Sequence, residues 1–134
     1  MYFNKDNNFF HGIMFHHFHD HKTHLKAQGS IDKDDFYKMI KFIGRNNILN
    51  CDVFFDKLKN KNLKKNEVCL TFDDAIKSQF DIALPVLEDL RIKSFFFSQT
   101  STFDKNQNSI EHLRYFRTNY FNKIDDYYNL FRNL

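Results

Sequence analysis

The chain has 134 residues, of which 42% are apolar and 18% aromatic, so it is long enough for one folded domain and too hydrophobic for a disordered polymer. Its net charge is only +3, and its lysines alternate with acidic residues except in a short run at residues 57–65, which we interpret as a solvated turn. This charge pattern argues against nucleic acid as a partner.

The first half of the sequence predicts a strand followed by helices. Residues 11–18, HGIMFHHF, have the apolar character of a short strand, and a polar loop rich in histidine follows them. A helix is then predicted after Asp32, a suitable N-cap, because apolar residues recur at helical spacing until Gly44. Residues 53–58 predict another short helix.

The second half predicts two further strands with a helix between them. Residues 68–72, VCLTF, are nearly all apolar, which is typical of a strand buried on both faces in a parallel sheet. Residues 75–90 predict a helix in which Pro85 either introduces a kink or opens the second half. Residues 94–98 predict the third strand, and residues 109–134 predict a mostly helical, aromatic tail.

The order of these elements predicts the fold class and the domain organisation. Alternating apolar strands and helices favour an α/β fold with a parallel sheet or barrel, and we predict a single domain over residues 1–134. Cys51 and Cys69 lack a metal-binding spacing and are expected to be free thiols, which requires no oxidising compartment. No membrane span or signal peptide is recognisable, so we expect a cytoplasmic protein.

Two adjacent carboxylates, Asp73 and Asp74, follow the strand at residues 68–72. The carboxyl ends of parallel strands are where α/β folds place their chemistry, and the turning backbone allows both side chains to enter one pocket. One carboxylate is suited to bind a divalent metal while the other accepts a proton from water. The structural alternative is that Asp73 is a helix N-cap and Asp74 a first-turn acid stabilised by the helix dipole.

The segment VCLTFDD, residues 68–74, resembles the first motif of the polysaccharide deacetylases, and LRIKSFFF, residues 90–97, is similar to the strand that follows it in this family. With the PVL segment between them and the entry IMFHHF, the resemblance covers residues 12–103. It implies a partial (β/α) barrel with parallel strands and covering helices, a carbohydrate or glycan substrate, and a divalent metal cofactor, zinc or else cobalt or another divalent ion. It also implies that Asp73 is the catalytic base and Asp74 a metal ligand.

The sequence departs from the family pattern at two places. Position 75 is Ala where the family usually has Gly, and we expect helical backbone there to accommodate the side chain. The His-Ser/Thr-x-x-x-His pair that completes the family's metal site is missing, since His112 is the only histidine after Asp74. The family's later motifs and further barrel strands are also missing, so we predict that the chain corresponds to the amino-terminal portion of the domain.

Six of the seven histidines lie between His11 and His24. His16 and His17, at the end of the first predicted strand, are the best placed to join Asp74 as metal ligands, because zinc accepts mixed imidazole and carboxylate ligands. The alternative is that these histidines are ordinary loop residues or exposed strand positions.

The family resemblance, together with these patterns, implies a metal-dependent hydrolase that removes N-acetyl or O-acetyl groups from a carbohydrate or glycan intermediate, with only the N-terminal part of the catalytic domain in this chain. The alternative is a non-catalytic metal- or partner-binding α/β module derived from the same fold. An incomplete barrel exposes strand edges, so self-association is also expected.

Overall fold

A computed structural model describes residues 11–100 and 110–133 as a three-stranded sheet with covering helices. The strands are β1 (Gly12–Phe15), β2 (Cys69–Phe72) and β3 (Phe95–Phe96), in the order β1-β2-β3. Both pairs are parallel, with Gly12 opposite Cys69 and Thr71 opposite Phe95. The predicted α/β fold with parallel strands is therefore confirmed.

Five α-helices accompany the sheet. They are α1 (Lys33–Ile43), α2 (Cys51–Lys59), α3 (Leu84–Asp89), α4 (Ile110–Tyr120) and α5 (Ile124–Arg132), with a 3-10 turn at Arg45–Asn47 and a π-helix at Gln79–Ala83. Within the described parts of the chain, every helix is too short or too polar to cross a lipid bilayer.

Helix α1 begins and ends where the sequence predicts. The Asp32 carboxylate accepts a hydrogen bond from the Asp35 backbone N–H at 2.8 Å, and Gly44 ends the helix with its N–H donated to the Ile40 carbonyl. Gly44 has a φ of +86°, a conformation that favours glycine. Phe36 and Ile40, four residues apart on one face, are buried against the sheet.

Four aromatic rings form the centre of the core. Phe72 of β2 is fully buried, and its ring stacks against Phe15 at 5.5 Å between centroids while Phe36 of α1 meets it edge-on at 6.1 Å. Phe18 completes this phenylalanine cluster, with a centroid 5.2 Å from that of Phe36. The cluster fixes the end of β2 against the end of β1.

The opposite face of the sheet is open near the carboxyl ends of the strands. The expected burial of β2 on both faces holds at Cys69, Leu70 and Phe72, but Thr71 is only partly buried, and its neighbour Met14 on β1 is 57% exposed. Side chains alternate along a strand, so Thr71 points away from the phenylalanine cluster. A closed barrel turns this face inward and fills it with side chains from its other strands.

The segment after β2 differs from the predicted helix over residues 75–90. Helical backbone begins only at Lys77 and continues through the π-helix. Pro85 lies in the first turn of α3, so it opens the second half of this segment, one of the two outcomes predicted for it. The third strand is also shorter than predicted, because only Phe95 and Phe96 pair with β2.

Several carboxylates are stabilised in their charged form by local hydrogen bonds. Lys57 and the Lys64 backbone N–H both donate to the Glu67 carboxylate, whose side chain is largely buried, and these bonds lower the pKa of Glu67. Backbone N–H groups of His24, Lys22 and Thr23 likewise lower the pKa of Asp20. These groups favour the folded state while they are ionised.

We therefore expect the protein to lose stability as the pH falls below about 4, the range in which the same carboxyl groups take up protons in the unfolded chain. A carboxyl group whose pKa is lower in the folded state than in the unfolded state stabilises the fold at pH values above that range. This stabilisation disappears as the pH falls and the group is protonated. Glu67→Gln should flatten the fall of the melting temperature between about pH 5 and pH 3. Glu88→Gln, at an exposed carboxylate, is the control, and an equal flattening by both variants would contradict the assignment.

Candidate functional site

Asp73 and Asp74 lie at the carboxyl end of β2, where the strand gives way to a turn. The Asp73 backbone N–H donates to the Phe15 carbonyl at 3.1 Å, so the β1–β2 ladder itself fixes where the acid pair starts. Both carboxylates are about one-third exposed and border a cavity of about 410 Å³. The residues that line this cavity are Met14, Thr71, Asp73, Asp74, Phe97, Ser98 and Gln99.

The turn that follows is left-handed at two successive residues. Asp74 has a φ of +74° and Ala75 a φ of +49°. Aspartate tolerates this region, but the Cβ of Ala75 makes it unfavourable by roughly 1 kcal/mol or more. The expected helical backbone at Ala75 is therefore wrong: the chain reverses here so that both carboxylates reach the open face, and glycine is the residue that suits this conformation.

We expect Ala75→Gly to stabilise the protein by about 0.5–1 kcal/mol, because relief of the left-handed strain exceeds the entropy that glycine adds to the unfolded chain. The measurement is the urea midpoint with its slope. Ala83→Gly is a control of opposite sign, since Ala83 is fully buried in helical backbone. A loss of stability in Ala75→Gly would contradict the left-handed assignment.

His16 joins the acid pair because it directly follows β1, as Asp73 follows β2. Its Nε2 lies 4.0 Å from an oxygen of Asp73 and 4.0 Å from an oxygen of Asp74. Gln99, three residues beyond β3, donates a hydrogen bond from Nε2 to Asp74 Oδ1 at 2.6 Å. All three strands thus contribute a side chain at their carboxyl ends, and we call His16, Asp73, Asp74 and Gln99 the strand-end cluster.

The family model for polysaccharide deacetylase matches residues 60–119, which include the acid pair. The chain resembles the polysaccharide deacetylases. In fold it is similar to a solved structure of a de-N-acetylase from Aggregatibacter actinomycetemcomitans, with 17% sequence identity and a TM-score of 0.56 over 71% of this chain. The match spans 39% of the length of that protein. No curated protein sequence matches the chain.

The polysaccharide deacetylase match begins after β1, so it includes neither predicted histidine. The structure brings His16 to the acid pair and directs His17 elsewhere: the guanidinium of Arg114, on α4, lies within hydrogen-bond distance of the His17 ring. The imidazole rings of His16 and His17 remain close and nearly parallel, with centroids 6.4 Å apart, while the His17 ring also contacts Arg114.

Two further histidines of the N-terminal group hold the loop after β1. His24 pairs with Asp81 at 2.7 Å, and His19 forms a hydrogen bond with the Ser30 hydroxyl at 3.0 Å. The partner of His24 lies on the π-helix, so that contact joins the loop to the segment that follows the acid pair. The contacts of His19 and His24 are those of loop residues, which is the alternative to metal binding given above for this group of histidines.

The strand-end cluster has the donor types of a divalent-metal site, an imidazole and two carboxylates. Two ligands of one tetrahedral zinc ion, each about 2.1 Å from it, stand roughly 3.4 Å apart, somewhat closer than the 4.0 Å between His16 and each acid. Across residues 11–100 and 110–133, no three His, Cys, Asp or Glu side chains are positioned to hold a metal ion together. The donor chemistry therefore fits, while a complete ligand set does not form within the described residues.

Gln99 was not predicted from the sequence. An amide side chain carries no pattern that marks it as functional, and the available signal was positional: Gln99 lies just beyond the third apolar strand, as the acid pair lies just beyond the second.

Proposed function

We propose that this chain carries the amino-terminal part of the active site of a metal-dependent carbohydrate deacetylase, which hydrolyses an N-acetyl or O-acetyl group of a sugar or glycan. The observation that carries the proposal is the acid pair Asp73 and Asp74, which borders an open cavity, lies 4.0 Å from His16 Nε2 and falls inside the segment that matches polysaccharide deacetylases. The name of the structural neighbour, a de-N-acetylase, supports the same reaction class.

In this proposal Asp74 and His16 hold the metal and Asp73 acts as the general base. Zinc, or another divalent ion such as cobalt, supplies Lewis acidity toward the acetyl carbonyl and toward water when bound. Asp73 takes a proton from the attacking water at its carboxylate oxygen, which borders the cavity. Gln99 fixes the Asp74 carboxylate through Oδ1, which leaves Oδ2, the oxygen nearer His16, for the metal.

We further propose that the remaining metal ligands come from polypeptide outside the described residues. Two observations support this: the described side chains supply no complete set of three ligands, and the chain corresponds to 39% of the solved neighbour. The sheet face that borders the cavity is open at Met14 and Phe97, which leaves room for further strands.

The second candidate is a metal- or partner-binding module without catalysis. A catalytic zinc site contains three protein ligands. The described residues supply no such set, and His17, a predicted ligand, contacts Arg114, so both observations favour this candidate.

Acetate release from acetylated chitooligosaccharides, measured with added zinc or cobalt, separates the two candidates. Metal-dependent acetate release by the wild-type chain, lost in Asp73→Asn, supports the deacetylase. Metal binding that Asp74→Ala abolishes, with no acetate release by any variant, supports the binding module. Absence of metal binding would refute the deacetylase and the metal-binding form of the module.

A further inference from the structure

Gln79 connects the two strand ends that carry the functional side chains. It is 1% exposed, and its side-chain Nε2 donates to two backbone carbonyls, that of His16 at 2.8 Å and that of Asp73 at 2.5 Å. An amide NH₂ has two hydrogens, so one group satisfies both acceptors. The opposite orientation of the amide would place its oxygen against two carbonyl oxygens, which fixes the assignment.

This contact begins where the β1–β2 ladder ends. The ladder reaches Phe15 and Phe72, with the Asp73 N–H bound to the Phe15 carbonyl, one residue short of His16. Gln79 extends the connection past that point by holding the carbonyls of His16 and Asp73 on a single nitrogen. The neighbouring residue reinforces it, because the Ser78 hydroxyl accepts a hydrogen bond from the Phe18 N–H at 3.3 Å.

The geometry around Gln79 carries an energetic cost that core packing alone does not explain. Gln79 opens the π-helix Gln79–Ala83, a form that is rare and occurs mostly at functional sites. Among the described residues its Oε1 is buried without a hydrogen-bond partner. A buried, unpaired acceptor is unfavourable, and the two hydrogen bonds that Nε2 donates must offset its cost.

We propose that Gln79 is a positioning residue that sets the separation between His16 and Asp73 by clamping their backbone carbonyls. The inference deepens the proposed function, on which its metal-binding consequence rests. Gln79 does not line the cavity that Asp73 and Asp74 border, and it acts through the backbone carbonyls of His16 and Asp73.

The test compares Gln79→Met, which preserves size and removes the NH₂ group, with Gln28→Met, the same change at an exposed site. Amide hydrogen exchange is measured at both ends of β2: the Asp73 N–H bonded to Phe15, and the Cys69 N–H bonded to the His11 carbonyl at 2.8 Å. We expect Gln79→Met to accelerate exchange at Asp73 about tenfold relative to Cys69, because only the carboxyl ends of β1 and β2 are released. Gln28→Met should change neither.

Equal acceleration at Asp73 and Cys69 would overturn the proposal, because it indicates general destabilisation, and so would unchanged exchange at both. Zinc titration of the same variants is the second readout, with affinity expected to fall about tenfold in Gln79→Met. Undiminished zinc affinity in Gln79→Met would also overturn it. If the wild type binds no zinc but exchange at Asp73 responds as expected, the clamp is supported and the metal site of the proposed function is refuted.

Discussion

Phe72→Ala is expected to destabilise the protein by about 3–5 kcal/mol, a large part of the roughly 5–15 kcal/mol that holds a domain folded. The Phe72 ring is fully buried and lies 4.6 Å from Phe96, 5.5 Å from Phe15 and 6.1 Å from Phe36 between centroids. Its removal leaves a cavity that all three strands and α1 border, and the lost aromatic contacts add to the lost burial.

Urea unfolding followed by circular dichroism measures this effect. Phe42→Ala is the matched control, since the Phe42 side chain on α1 is 78% exposed and its removal should change stability by no more than about 0.5 kcal/mol. Similar losses in the two variants would show that the phenylalanine cluster is not the core. Because Phe72 directly precedes Asp73, the same variant should also weaken any activity that depends on the acid pair.

Asp73→Asn is expected to reduce the rate of acetate release about 10²–10⁴-fold, the usual contribution of a general base. Asparagine has nearly the same shape and retains the backbone carbonyl that Gln79 holds and the N–H that Phe15 accepts. The substitution removes the carboxylate that we propose takes the proton and leaves Asp74 and His16 in place. Metal affinity should therefore change much less than the rate.

The measurement is kcat/KM for acetate release with zinc at saturating concentration. Asp34→Asn, in the exposed first turn of α1, is the control for a charge change remote from the cavity. If Asp73→Asn keeps the wild-type rate, Asp73 is not the base, and the strand-end cluster needs another assignment.

The element order and the parallel sheet were predictable because their signals are strong and local. Continuous apolar runs gave the strands around Leu70 and Phe95, and helical spacing with Asp32 and Gly44 gave both ends of α1. The acid pair was placed correctly for the same reason, since the end of an apolar strand marks the carboxyl edge of a parallel sheet.

What the sequence did not predict depends on backbone direction and on distant contacts. The helix propensity of Ala75 favours helical backbone, yet the reversal of the chain after β2 requires left-handed backbone there. The pairing of His17 with Arg114, 97 residues away, depends on how α4 lies against the strand end. The two glutamines of the site, Gln79 and Gln99, act through amide hydrogen bonds that no residue pattern announces.

The measurement that tests the central claim most directly is a calorimetric zinc titration of the wild type, Asp74→Asn and Asp34→Asn. Asparagine tolerates the left-handed backbone at position 74 and still accepts the hydrogen bond from Gln99, so the change removes mainly the charge that we propose binds the metal. We predict binding of one ion by the wild type, affinity at least about tenfold weaker in Asp74→Asn, and no change in Asp34→Asn. Equal affinities in all three proteins would contradict a metal site at the strand-end cluster.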